Sequence, residues 1–142
     1  MVFDVGMNVG YTSLFFAQKE MVKVVYGFEL VPFTASMAQY NLDLNPELSK
    51  KVVLNNFGLS DSDNSFELDY SEDRNGMNGI GEKDFSFYGV GKNELKKTDV
   101  TIKKSSLVLK PLINKHSSDF KVLKIDVEGS EYSIIRDLAD NK

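Results

Sequence analysis

Val2-Phe3-Asp4-Val5-Gly6-Met7-Asn8-Val9-Gly10 is an apolar run that breaks into a glycine-rich turn, and an amphipathic segment follows from Tyr11. This reads as the strand–turn–helix opening of a nucleotide-binding α/β domain. The pattern is D-x-G-x-N-x-G and lacks the third glycine of a dinucleotide fingerprint. Gly6 permits a tight turn, and Gly10 lets backbone approach a ligand at the helix N-terminus. Such a turn suits an anionic group, while Asp4, inside the strand, suits a cationic or hydroxyl group. S-adenosylmethionine (SAM) carries both kinds, in its carboxylate, amine and sulfonium.

The rest of the chain alternates strand and helix. Lys23 to Phe28 is β-branched and aromatic, a second strand. Phe33, Met37, Tyr40 and Leu44 recur at helical spacing and read as a core stripe, with Asn45-Pro46 closing that helix. Val52-Val53-Leu54 begins a third strand. Phe66, Leu68 and Tyr70 alternate with acids, as in a half-exposed strand or hairpin arm. Residues 71–97 hold five of the ten glycines and no clear period, so they read as a loop insertion. Phe85, Phe87, Tyr88, Gly89 and Gly91 there suggest a partner surface or a lid. Val100 and Ile102 mark a short strand, Leu107 to Asn114 a helix containing Pro111, Val122 to Val127 a strand, and Ser130 to Asp140 a helix. The expected fold is a Rossmann-like, largely parallel sheet with helices on both faces.

Composition bounds the function. The 142 residues fit a single domain that buries roughly two-thirds of its unfolded surface. A net charge of -4 argues against general affinity for nucleic acid or anionic lipid. With no cysteine, disulfides, thiolate metal sites and cysteine nucleophiles are excluded. No apolar run approaches a membrane span and no signal peptide precedes the first strand, so the expected location is cytoplasmic.

Ligands of such sheets bind beyond the carboxyl ends of the strands, where strand order reverses. The informative polar residues fall there. Glu29 follows the second strand, nineteen positions after Gly10, where a carboxylate accepts both hydroxyls of a ribose. Asn56 to Asp61 follows the third strand, at the place of an adenine edge or of a plain Ser-Asp turn. Lys124, Asp126 and Glu128 alternate, so they share one face and run off the last strand. Three ionisable groups in a strand that otherwise reads as buried are costly unless paired or functional. Gly129 allows a sharp turn, and Glu131 favours the first turn of the helix after it. His116, the only histidine, reads as a solvated helix end.

Together these blocks resemble the FkbM family of SAM-dependent methyltransferases. Asp4-Val5-Gly6-Met7-Asn8-Val9-Gly10-Tyr11, Phe28-Glu29, Gly58-Leu59-Ser60-Asp61 and Lys124-Ile125-Asp126-Val127-Glu128-Gly129-Ser130-Glu131 match in order and spacing. The resemblance implies a class I methyltransferase fold and methyl transfer, typically to a hydroxyl of a sugar or secondary metabolite. By that likeness Asp4, Gly6, Asn8 and Gly10 hold the methionyl part of SAM, Glu29 the ribose, and Gly58 and Leu59 the adenine neighbourhood, with Asp126 near the transferring methyl. The chain departs from the family where Leu30 replaces a proline after the ribose acid, and where a Leu-Asp pair is missing near Ser105-Ser106. Its length also falls short of a sheet of about seven strands, so the expectation is a fragment, with a sheet edge open to a homodimer.

The chemistry expected is in-line displacement at the methyl of SAM, with the protein aligning the acceptor. Asp126 or Glu128 is the expected base and Lys124 fixes their geometry. No metal is expected, because Asp126 and Glu128 lack a third ligand at metal spacing. Two other readings stand beside this one: a non-catalytic SAM-binding remnant, and an NAD-dependent oxidoreductase, which would want a glycine where Asn8 stands.

Overall fold

The computed structural model describes residues 1–72, 95–116 and 120–141. Most of the 71–97 segment, including Phe85, Phe87, Tyr88, Gly89 and Gly91, lies outside the described residues. In chain order the elements are β1 (Val2–Val5), α1 (Tyr11–Ala17), β2 (Val25–Phe28), α2 (Pro32–Asp43), α3 (Pro46–Ser49) and β3 (Val52–Asn55). There follow β4 (Gly58–Ser60), β5 (Asn64–Tyr70), β6 (Lys96–Lys104), α4 (Ser105–Lys115), β7 (Val122–Ile125) and α5 (Glu131–Asp140).

The main sheet has the order β3-β2-β1-β7 and is parallel throughout. The chain leaves β1 in one direction to build β2 and β3, then returns to lay β7 on the other side. Strand order therefore reverses between β1 and β7, the position at which open α/β sheets hold their ligands. The fold is the Rossmann-like arrangement that the alternating pattern predicts.

Period-two alternation sorts β1 between two layers. Phe3 and Val5 join Met1, Tyr26, Phe28, Leu59, Leu109 and Ile134 in the larger core. Val2 faces the other way, into a smaller core with Ala17, Val22 and Val25. Asp4 shares the Val2 side by the same alternation, which places a carboxylate under α1 with no exposure to solvent.

A second sheet has the order β4-β6-β5, with β6 parallel to β4 and antiparallel to β5. Gly58 to Ser60 is thus a short strand rather than a free turn. The expected short strand at Val100 and Ile102 extends over Lys96–Lys104, so the end of the 71–97 segment is ladder rather than loop.

The Phe33, Met37 and Tyr40 stripe is not core. Helix α2 buries Thr34, Ala35, Ala38 and Leu42 instead, and Tyr40 is 64% exposed. The small Ala38 side chain lies against Gly10 in the turn before α1. The bulky side chains move to the flank, where Met37 and Tyr40 line an open hollow of about 320 Å³ with Tyr11 and Asn41. His116 also differs from its reading as a solvated end. It is half-buried at the end of α4, with Nε2 3.1 Å from the Tyr26 hydroxyl. No helix among the described residues is long and apolar enough to cross a membrane.

Helix α4 has no acid in its first turn, yet its amides are not left bare. Asp137, from α5, accepts the Ser106 amide at 2.6 Å and lies 3.5 Å from the Lys104 ammonium. Burial by itself would raise the Asp137 carboxyl, but the Ser106 hydrogen bonds and Lys104 outweigh it and hold the pKa below the ordinary aspartate value. A carboxyl lowered in the folded state stabilises the fold above its unfolded pKa, and that contribution is lost as pH falls through the folded value. Asp137→Ala is expected to lose about 1–3 kcal/mol at pH 7 by stranding the Ser106 amide. Urea titrations at pH 7 and well below pH 3.8 check this, because the wild-type advantage shrinks in acid.

Candidate functional site

The polar residues beyond the strand ends are organised by register. Asp4 pairs with Gly27 on one side and with Lys124 on the other. An acid and a lysine directly opposite on neighbouring strands point the same way, so their side chains meet. The Lys124 ammonium lies 3.1 Å from Asp4 Oδ1 and donates to the Gly6 carbonyl at 2.6 Å. The other carboxylate oxygen of Asp4 accepts from the Ser13 hydroxyl at 2.7 Å. Asp126, two residues along β7's direction, is 3.8 Å from the same ammonium and its side chain is largely exposed. Lys124 therefore pairs inward with Asp4 and outward with Asp126; the sequence suggested only the outward partners.

The glycine turn has three residues at positive φ: Gly6 (78°), Asn8 (52°) and Gly10 (88°). Gly6 needs its missing side chain as well as its freedom, because a Cβ there would sit 1.8 Å from the Asp126 carbonyl oxygen. Gly10 needs mainly the conformation, since a Cβ would meet ordinary contacts. Asn8 is one of the few residue types that tolerates this region. Gly27 is a further close approach, filled by Met7 Sδ and the Ser13 hydroxyl.

Glu29, 7% exposed, ties the turn to the end of β2. One carboxylate oxygen accepts the Asn8 amide and the other the Val31 amide, each at 3.0 Å. Burial raises the Glu29 pKa, and the two amides and Lys124 only partly oppose it. The carboxylate is fixed in place, and each oxygen keeps a lone pair for a further donor. Asn56 supports the same corner by donating to the Glu29 carbonyl at 2.9 Å, and Asn41 holds the Val9 carbonyl at 2.8 Å.

Of the residues singled out in the sequence, Asp4, Gly6, Asn8, Glu29, Lys124 and Asp126 come together around the β1–β7 switch point. Gly10 caps α1 beside them. Gly58 packs against Leu30, just past Glu29, but Leu59 as a whole residue is 1% exposed and belongs to the core. Glu128 is exposed, with φ at 54°. Sequence reading missed Ser13 and Asn41, and it marked Asn56 without its partner, since a serine or asparagine on a helix or after a strand carries no signal of its distant partner.

A family model described as the methyltransferase FkbM domain matches residues 4–142. No curated protein and no solved structure matches the chain. The family match spans nearly the whole sequence, and the chain belongs to the FkbM methyltransferase family.

The Asp4–Lys124 contact generates a test of its own. Lys124→Met leaves a buried carboxylate without its cation and is expected to destabilise the protein by roughly 3 kcal/mol. Adding Asp4→Asn to that variant should restore part of the loss, so the double mutant lies above the sum of the singles. Urea unfolding of the four proteins measures the coupling.

Proposed function

We propose that this member of the FkbM methyltransferase family binds SAM at the β1–β7 switch point and methylates a hydroxyl of a sugar or secondary metabolite. The observation that carries the cofactor reading is the Glu29 carboxylate, buried and fixed by two backbone amides beside the glycine turn. A carboxylate so held accepts the two hydroxyls of a ribose without reorganising. The Asn8 side-chain oxygen gives a second fit: it is shielded from solvent and finds no hydrogen-bond partner among the described residues. A buried acceptor without a donor is costly, and an ammonium such as the amine of SAM would satisfy it. Asp4, Gly6 and Gly10 would shape the methionyl end, with Gly58 near the adenine.

When bound, SAM supplies a methyl group activated by its sulfonium. The chain's own work is then to align an acceptor and to take its proton. Alignment of reacting groups is worth roughly 7–11 kcal/mol. Asp126 is the exposed carboxylate beside Lys124 and is placed to accept a hydroxyl proton, with Glu128 its neighbour on the same turn. Lys124, anchored on the Gly6 carbonyl and Asp4, holds Asp126 at a fixed distance from the glycine turn. Asp4 acts through that anchor, since it has no exposed surface of its own.

Thermal unfolding with S-adenosylhomocysteine (SAH) and with NAD tests the cofactor. SAH at 100 times its dissociation constant adds about 2.7 kcal/mol to the stability, and NAD adds nothing. The raised Glu29 pKa gives a sign to the pH dependence: the acceptor form is lost at a higher pH than for an exposed glutamate. SAH affinity should therefore weaken as pH falls toward 4.5, before an ordinary carboxylate would protonate. Glu29→Gln, which sets an amide donor against a backbone N–H, should weaken SAH by roughly tenfold or more and remove that acid step.

A further inference from the structure

Beyond β7 the chain makes a tight turn through Val127, Glu128 and Gly129 before α5 begins. Two of its residues have positive φ, Glu128 at 54° and Gly129 at 123°. Asn8 and Glu128 are the two non-glycine residues in this region among the described residues, and they stand at the ends of neighbouring strands. Glycine adopts the left-handed conformation freely, but for glutamate it costs of order 1–2 kcal/mol. Such a conformation persists only where surrounding contacts impose it.

Glu131 supplies those contacts. Its Oε1 accepts the Val127 amide and its Oε2 accepts the Gly129 amide, both at 3.0 Å. The two bonds bracket Glu128 from either side, so one carboxylate clamps the whole turn. The same turn packs on the glycine turn, because the Asp126 carbonyl lies against Gly6 with no room for a Cβ. Asp126 also continues the ladder, donating its amide to the Val5 carbonyl at 3.0 Å. Its N-terminal side is thus fixed by β1, and its C-terminal side by Glu131.

We propose that Glu131 is a positioning residue of the cofactor site, which holds the Asp126–Gly129 turn in its left-handed form against the glycine turn. This rests on the reading that the site binds SAM. Glu131 acts through backbone alone: it spans two amides and sets where Asp126 and Glu128 stand. Its pKa lies below the ordinary glutamate value because backbone amides hydrogen-bond its carboxylate, so the clamp is ionised at neutral pH.

The test is SAH affinity by calorimetry for wild type, Glu131→Ala, Glu128→Asn and the double variant, with amide exchange of Val127 and Gly129 measured alongside. Glu131→Ala should weaken SAH by about tenfold, the effect of a lost hydrogen-bonded support, with fast exchange at both amides. Asparagine at 128 accepts the left-handed form with less strain. In the Glu128→Asn background the loss on Glu131→Ala should therefore shrink, which a merely structural role for Glu131 would not produce. SAH affinity within twofold of wild type in Glu131→Ala overturns the proposal, and so does an equal loss in both backgrounds. Wild-type protein that fails to bind SAH overturns the cofactor reading itself, and this role with it.

Discussion

The ion pair between Asp4 and Lys124 is the constraint on which the rest of the site depends. A carboxylate with no solvent exposure has to be paired, and the β1–β7 register delivers a lysine directly opposite it. The ammonium does not stop at Asp4. It also takes the Gly6 carbonyl, so the glycine turn after β1 is fastened to β7, and it faces Asp126 at the rim. One cation thus couples the strand register to the shape of the turn. On the opposite side Glu29 fastens the same turn to β2 through the Asn8 amide. The turn is held between two charged side chains, one from each neighbouring strand.

These anchors explain the placement of small residues. Gly6 is small because the Asp126 carbonyl lies against it, and Gly27 because Met7 fills the space above the Asp4 row. Ala38 of α2 lies against Gly10 at ordinary contact distance. The glycine turn is therefore built from contacts with three other segments as much as from a ligand's needs. That two demands coincide at one place is what is expected of a preorganised site.

Much of this was legible in the sequence. The four parallel strands followed from apolar runs separated by helical periods, and the positions of Asp4, Glu29 and Lys124 at strand ends followed from those runs. What periodicity could not supply was which side of a helix faces inward when small residues are needed for close packing. Phe33, Met37 and Tyr40 have core spacing, yet the helix turns its alanines to the sheet. Long-range partners were also beyond reach. Ser13 with Asp4, Asn56 with the Glu29 carbonyl and Asp137 with the start of α4 join residues whose separation in sequence leaves no local mark. The same holds for the inward partner of Lys124, which depends on β7 lying beside β1 rather than on the spacing of acids within β7.

The proposed cofactor position lies between Glu29 and the β1–β7 junction. A crystal structure of the protein with SAH tests it most directly. Both ribose hydroxyls should lie within hydrogen-bond distance of the Glu29 carboxylate, with the amine of the ligand at the Asn8 side chain. SAH bound elsewhere on the protein, with Glu29 still engaged only by the Asn8 and Val31 amides, would contradict it.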